Sequence, residues 1–255
     1  MKEINDTHNL YRYALRMGDS TLILAQRFCE EVGKSPTLEE EIAQSNIGLD
    51  TLGQANAWLE LAAKWQGEGK SADDLAYWRT EREFTNYLMT ELENGDFARI
   101  IMRAYLFTSF TRLVYKELQH SNVEEIVAIA IKSSKELDYH HQHLSSWVER
   151  LGLGTEESHR RMSEALNFLW PYNQEFFDID ELEKVVVASG AAPDKNKIKQ
   201  LWLEEVIPFL EKCELKIPEC KYFYDGGTKG KHTEVLGFLL SEMQTVTRQH
   251  PDGVW

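Results

Sequence analysis

A chain of 255 residues with 42% hydrophobic and 27% charged residues has the composition of an ordinary soluble globular protein, long enough for one large core. Its net charge of −14 excludes nucleic acid and anionic membrane as general partners, since both reward cations clustered over a whole face, yet it leaves room for a local basic pocket. A polar start from Met1 to Asn9, no apolar run long enough for a membrane helix, and three cysteines (Cys29, Cys213, Cys220) without CxxC spacing exclude a secretory signal, a bilayer span and a thiolate metal site or disulfide framework; free thiols in a reducing cytoplasm are expected.

The first expected element is a helix over about 7–32, with Leu10, Tyr13, Met17, Leu24 and Phe28 recurring at helical spacing and Gly33 as its stop. The second, about 37–66, is the most distinctive stretch of the chain. Pro36 and Thr37 with Glu40 form a capping-box pattern, and Gly67 offers the stop. No Lys or Arg occurs from Ser35 to Ala63, and Ile42, Ile47, Leu49, Leu52, Trp58, Leu59 and Leu61 point at all angles. Such a helix is expected to be buried on nearly every side. Asp50 is the only charge between Glu41 and Glu60, so it needs a partner or a proton.

One or two short charged helices are expected over 75–91, then a turn at Asn94-Gly95-Asp96 that caps a third long helix carrying Phe97, Ile100, Ile101, Ala104, Phe107, Thr111, Tyr115 and Leu118 inward. Ser121-Asn122-Val123-Glu124 reads as a second capping box, opening a fourth helix that ends at Leu151-Gly152. Its inward stripe is Ile126, Ile129, Ala130, Ser133, Leu137, His140, Leu144, Trp147, Val148 and Leu151. Shorter helices follow at about 156–176, 180–190 and 195–215, the last kinked or broken by Pro208, then an extended segment to Gly230 and a final helix over 231–249. No alternating strand pattern appears. The expected fold is all-α: a ferritin-like four-helix bundle with additional C-terminal helices, one domain with its bundle core over about 7–151 and an extension over about 155–255.

Such a bundle raises the question of a carboxylate-bridged di-iron site, which needs a Glu from each of two helices and Glu-x-x-His from each of the others. This sequence lacks that set. The third helix has no Glu between Asp96 and Lys116, Gly53 stands three residues after Asp50, and Tyr139 stands three after Glu136 with His140 one step beyond. Glu117-x-x-His120 and Glu156-x-x-His159 fall at a helix end and a first turn, where chance matches arise. Glu136 and His140, four apart beside the inward stripe, are read as an interior histidine satisfied by an acid, with a metal bound there as the alternative.

Asp225-Gly226-Gly227-Thr228-Lys229-Gly230-Lys231-His232-Thr233 is a glycine-rich basic loop before the last helix. It is not a phosphate loop, because Asp225 stands where the first glycine belongs and His232 where Ser or Thr should follow Lys231. Two readings stay open: a flexible turn capped by Thr233, or an anion site formed by Lys229 and Lys231 with free helix-start amides.

The runs Ser45-Asn46-Ile47-Gly48-Leu49-Asp50-Thr51-Leu52-Gly53-Gln54-Ala55, Asn94-Gly95-Asp96-Phe97-Ala98, Trp147-Val148-Glu149-Arg150-Leu151-Gly152 and Gly230-Lys231-His232-Thr233-Glu234-Val235-Leu236-Gly237, with Trp255, resemble the PaaC-type subunits of bacterial phenylacetyl-CoA 1,2-epoxidases over nearly the whole chain. The resemblance implies a ferritin-like fold and a place in a multicomponent monooxygenase of phenylacetate catabolism. It further implies a non-catalytic, metal-free structural subunit that pairs with a PaaA-type catalytic subunit holding the di-iron centre. NADPH and flavin or iron–sulfur groups would belong to a reductase, and no cofactor to this chain. Other subunits of the complex, and a second copy of the isolated chain, are the remaining expected partners. On the resemblance, Asp50, Glu136 and His140 would be a vestigial metal seat or, on the rival reading, the nonstandard site of a metal-dependent oxygenase, and the anion met by Lys229 and Lys231 would be the phosphates of a CoA thioester.

Overall fold

The computed structural model describes residues 2–253; Trp255, which helps carry the family resemblance, lies outside the described residues. Ten α-helices occur among them: α1 (Lys2–Cys29), α2 (Leu38–Gln66), α3 (Ala72–Tyr77), α4 (Leu88–Glu91), α5 (Phe97–Leu118), α6 (Glu124–Gly152), α7 (Glu156–Leu169), α8 (Glu181–Ala188), α9 (Lys195–Lys212) and α10 (Glu234–Gln249). Short 3₁₀ turns lie at Glu81–Glu83, Trp170–Phe177 and Gly227–Lys229. No strand is present among the described residues, and the fold is all-α and ferritin-like. No helix is long and apolar enough to cross a membrane among the described residues.

The chain divides into two compact units, Met1–Glu93 with Gly226–Trp255, and Asn94–Asp225. Residues 155–255 therefore do not group as one extension: α7, α8 and α9 belong with α5 and α6, whereas α10 belongs with α1 and α2. In the first unit α1 and α2 pack along their length, with Tyr13 and Trp58 meeting edge to face at 6.1 Å between ring centroids. In the second unit α5 and α6 form the long pair. The turn of Trp170–Phe177 and α9 close this unit with an aromatic core: Phe110 stacks on Phe176 at 4.8 Å, Phe177 meets Trp202 at 5.5 Å, and Trp202 Nε1 donates to the Leu106 carbonyl at 3.3 Å.

Three expectations change. The helices buried on every side are α1 and α5, not α2: each residue from Tyr13 to Ala25 and from Ile100 to Thr111 is buried. Each also carries buried charged residues, Arg16 and Asp19 on α1 and Arg103 on α5. Ser121 does not close a capping box, because its hydroxyl donates to the Ala191 carbonyl and accepts from the Val123 amide, leaving Val123 as the N-cap with no side-chain bond. Pro208 does not break α9, which runs on to Lys212, since a proline removes one donor of the helical ladder without removing the rest.

The turn at Asn94-Gly95-Asp96 forms as expected, with Gly95 at φ 68° and Asp96 Oδ1 accepting from the Arg99 amide at 3.0 Å. The buried stripe of α6 runs through Ile126, Ala130, Ser133, Leu137, His140, Leu144 and Val148.

In the second unit Lys195 at the start of α9 pairs with Glu183 of α8 at 3.0 Å, and both are almost fully buried. Taking one partner from a buried pair strands the other charge in low dielectric. Lys195→Met is expected to lower unfolding stability by about 3–5 kcal/mol in urea titrations, and adding Glu183→Leu to recover most of that loss. The exposed pair Lys184–Glu181, 2.6 Å apart, serves as control: Lys184→Ala shifts stability by less than about 1 kcal/mol.

Candidate functional site

Asp50 lies half-buried on α2 in the first unit, while Glu136 (half-buried) and His140 (1% exposed) lie one turn apart on α6 in the second. Among the described residues no group of three or more His, Cys, Asp or Glu side chains is gathered so that it could hold a metal ion.

The surface around Asp50 differs from the sequence expectation. Leu38, Ile42, Leu49 and Leu52 are exposed at 72, 54, 64 and 40%, so α2 presents an apolar stripe on its outer side, with Asn46, Gly53 and Asn56 beside it. The inner side of the same helix buries Ile47, Thr51, Ala55, Trp58, Leu59 and Ala62. Apolar residues at all angles thus serve two faces, one packed in this chain and one open. Gly53 sits in this open face, and a Cβ added there would meet nothing within 4 Å. A mid-helix glycine that this chain's own packing does not require costs about 0.5–1 kcal/mol relative to alanine.

In the glycine loop the local backbone dictates the shape. Gly226 (φ 119°) and Gly230 (φ 73°) take left-handed conformations, and a Cβ on Gly230 would come within 2.6 Å of the Arg82 carbonyl oxygen. The loop therefore lies flush on the segment before α4. Lys229 and Lys231 project from it, both exposed. The amides expected to stay free for an anion are engaged instead: those of Lys229 and Lys231 donate to the Gly226 carbonyl, that of Gly230 to the Gly227 carbonyl, and that of Thr233 to Glu91 Oε1 at 2.7 Å. These backbone amides of the loop are thus taken up within the chain. Thr233 is the N-cap of α10 by position, but its hydroxyl donates to Glu91 Oε1 at 2.9 Å and makes no cap bond.

Glu91, at the end of α4, is fully buried and was not singled out by the sequence. Its Oε2 accepts from Asn86 Nδ2 at 2.8 Å and lies 2.7 Å from His232 Nδ1; the other ring nitrogen of His232 lies 2.9 Å from the Phe84 carbonyl. Burial pulls the His232 pKa down, but hydrogen bonding and charge from Glu91, together with the Phe84 carbonyl, outweigh this and raise it above the ordinary imidazole value. A histidine directly before an N-cap threonine was the only sequence signal for this arrangement. It could not reveal a glutamate 141 residues away.

A second buried carboxylate of the same unit, Asp19 on α1, was also missed. Arg79 pairs with it, and Thr85 donates to it through its amide at 2.8 Å and its hydroxyl at 3.0 Å.

The whole chain, residues 1–255, matches the family model described as phenylacetic acid catabolic protein. It is 40% identical over 248 residues to a component of the 1,2-phenylacetyl-CoA epoxidase of Escherichia coli (strain K12), an alignment covering 97% of this chain and the full length of that one.

The close approach at Gly230 generates a direct expectation. Gly230→Ala, which adds a Cβ both at positive φ and against the Arg82 carbonyl, is expected to lower the melting temperature by an amount equivalent to about 1–3 kcal/mol. Gly53→Ala is expected to raise that of the isolated chain by about 0.5–1 kcal/mol equivalent. Differential scanning calorimetry of the two variants beside the natural chain measures both.

Proposed function

This chain belongs to the phenylacetic acid catabolic protein family, and from that membership we propose that it is a non-catalytic subunit of a phenylacetyl-CoA epoxidase complex, pairing with a sister subunit that carries the di-iron centre. The single observation that carries the pairing is the outer face of α2. A stripe of Leu38, Ile42, Leu49 and Leu52 without a Lys or Arg among its neighbours has little reason to face water, and Gly53 within it admits the close approach of another backbone. The reading that the chain carries no metal is supported by the donor set: no Glu on α5 up to Lys116, Gly53 three residues from Asp50, and no cluster of three ligands among the described residues. Oxygen insertion, reduction by NADPH and the groups that serve them then lie in other subunits, and a reducing cytoplasm suits the three free thiols.

Co-sedimentation with the sister subunit tests the pairing. The natural chain is expected to form a stable complex, and Leu49→Asp with Leu52→Asp to weaken it by about thirtyfold or more while leaving the helical circular dichroism unchanged. Absence of a complex with the natural chain, or equal binding by the double variant, refutes the α2 interface. Elemental analysis tests the rest: stoichiometric iron in the purified chain, lost on Glu136→Ala, would establish the rival reading of Asp50, Glu136 and His140 as a metal site.

A further inference from the structure

The two ring nitrogens of His232 each face an acceptor, Glu91 Oε2 at 2.7 Å and the Phe84 carbonyl at 2.9 Å. A neutral imidazole has one N–H and one lone pair, so it satisfies one of these contacts and sets a lone pair against the other. Only the imidazolium donates to both. The side chains around it allow the charge. From α4, Glu91 supplies the facing carboxylate; from α1, Asp19 adds a second negative charge, itself paired with Arg79. Arg27 of α1 is turned to the Glu91 backbone carbonyl, at 3.1 and 2.6 Å, and to Glu30. Arg16 of α1 reaches the Thr228 carbonyl, Glu83 is held by Thr80, and on the loop itself Lys229, Lys231 and Glu234 are exposed.

We propose that charged His232 is a latch that holds the C-terminal arm, residues 226–249, onto the rest of the first unit, and that loss of its proton loosens the arm there. The latch acts where the loop touches the body: the amide and hydroxyl of Thr233 share Glu91 with His232, and Gly227 and Gly230 press on the backbone of Asn86 and Arg82. Beyond it, α10 is tied by Gln244, which donates to the Ala76 and Arg79 carbonyls at 3.0 Å each, and by Arg248, which donates to those of Tyr77 and Arg79. Those bonds do not titrate in this range, so the loosening centres on 226–233.

The direction follows from linkage. Because the folded-state pKa of His232 is raised, the latch contributes its full stability below the ordinary value of 6.5 and loses it as pH rises through the folded-state value. Between those two pKa values, and up to a plateau above the higher one, the population of the opened loop rises about tenfold for each pKa unit that separates them.

Two measurements on the full chain test this. Imidazole ¹⁵N spectra, with the His232 signal assigned from its loss in His232→Gln, are expected to show both nitrogens protonated below the ordinary imidazole value and to titrate above free histidine. Trypsin cleavage after Lys229 and Lys231, expressed relative to a reference peptide at each pH, is expected to accelerate as pH rises through that titration in the natural chain and to stay fast and flat in His232→Gln. A neutral single tautomer at or below the pH at which free histidine titrates, or parallel cleavage profiles for the two chains, overturns the latch. If His232→Gln fails to fold, the nitrogen shifts of the natural chain still decide, with assignment through Nδ1 and Nε2 couplings.

Discussion

The organisation of the first unit depends on one buried carboxylate. Glu91 is fully enclosed, and an ionised carboxylate there is tolerable only because Asn86, His232 and both the amide and hydroxyl of Thr233 converge on its two oxygens. Asn86 lies shortly before Glu91 in the chain; His232 and Thr233 come from the far end of the sequence. Satisfying this charge therefore brings residues 226–233 to the end of α4 and starts α10 within the unit formed by α1 and α2. Arg27, donating to the Glu91 backbone carbonyl, joins α1 to the same point.

Asp19 repeats the logic one layer away. A carboxylate on the most enclosed part of α1 recruits Arg79 and the amide and hydroxyl of Thr85, and Arg79 in turn lies over the Phe84 ring at 4.2 Å. The irregular segment between α3 and α4 has little regular structure of its own; it is shaped by what these two acids require. That explains why a stretch with few apolar residues follows a defined path, and why the glycine loop can lie against it backbone to backbone.

The sequence was most legible where periodicity and punctuation agree. The bounds of α2, α5 and α6 followed from apolar spacing, the Asn94-Gly95-Asp96 turn and the stops at Gly67 and Gly152, and the all-α class followed from them. It was least legible where a polar group is satisfied from a distance. The inward stripes of α1 and α5 gave no sign that Arg16, Asp19 and Arg103 are buried as well, and the apolar run of α2 looked like the buried centre. Composition alone cannot tell a face covered by the same chain from one left open. Ser121 illustrates the same limit at small scale, since a capping motif in sequence says nothing of a carbonyl such as that of Ala191 competing for the hydroxyl. Of the candidate residues, Asp50, Glu136, His140, Lys229 and Lys231 were visible because acids, histidines and lysines stand out in apolar or glycine-rich contexts, whereas the Glu91 to His232 contact had no local signature.

The two faces of α2 link this architecture to the proposed role. Its inner face is specified by Ile47, Trp58, Leu59 and the smaller residues between them, which pack against α1. Nothing in that packing calls for leucines at 49 and 52, for a glycine at 53, or for the lack of cations over the middle of the helix. Exposed leucines lower solubility and Gly53 lowers helix stability, so for the isolated chain each is a local liability. The pairing proposed above accounts for their coincidence on one stripe by a single requirement, a second backbone lying close along α2. Gly53 stands three residues after Asp50, so α2 offers no donor side chain at that position. On the proposed reading, the same glycine that leaves the helix without that donor lets a partner's backbone approach more closely.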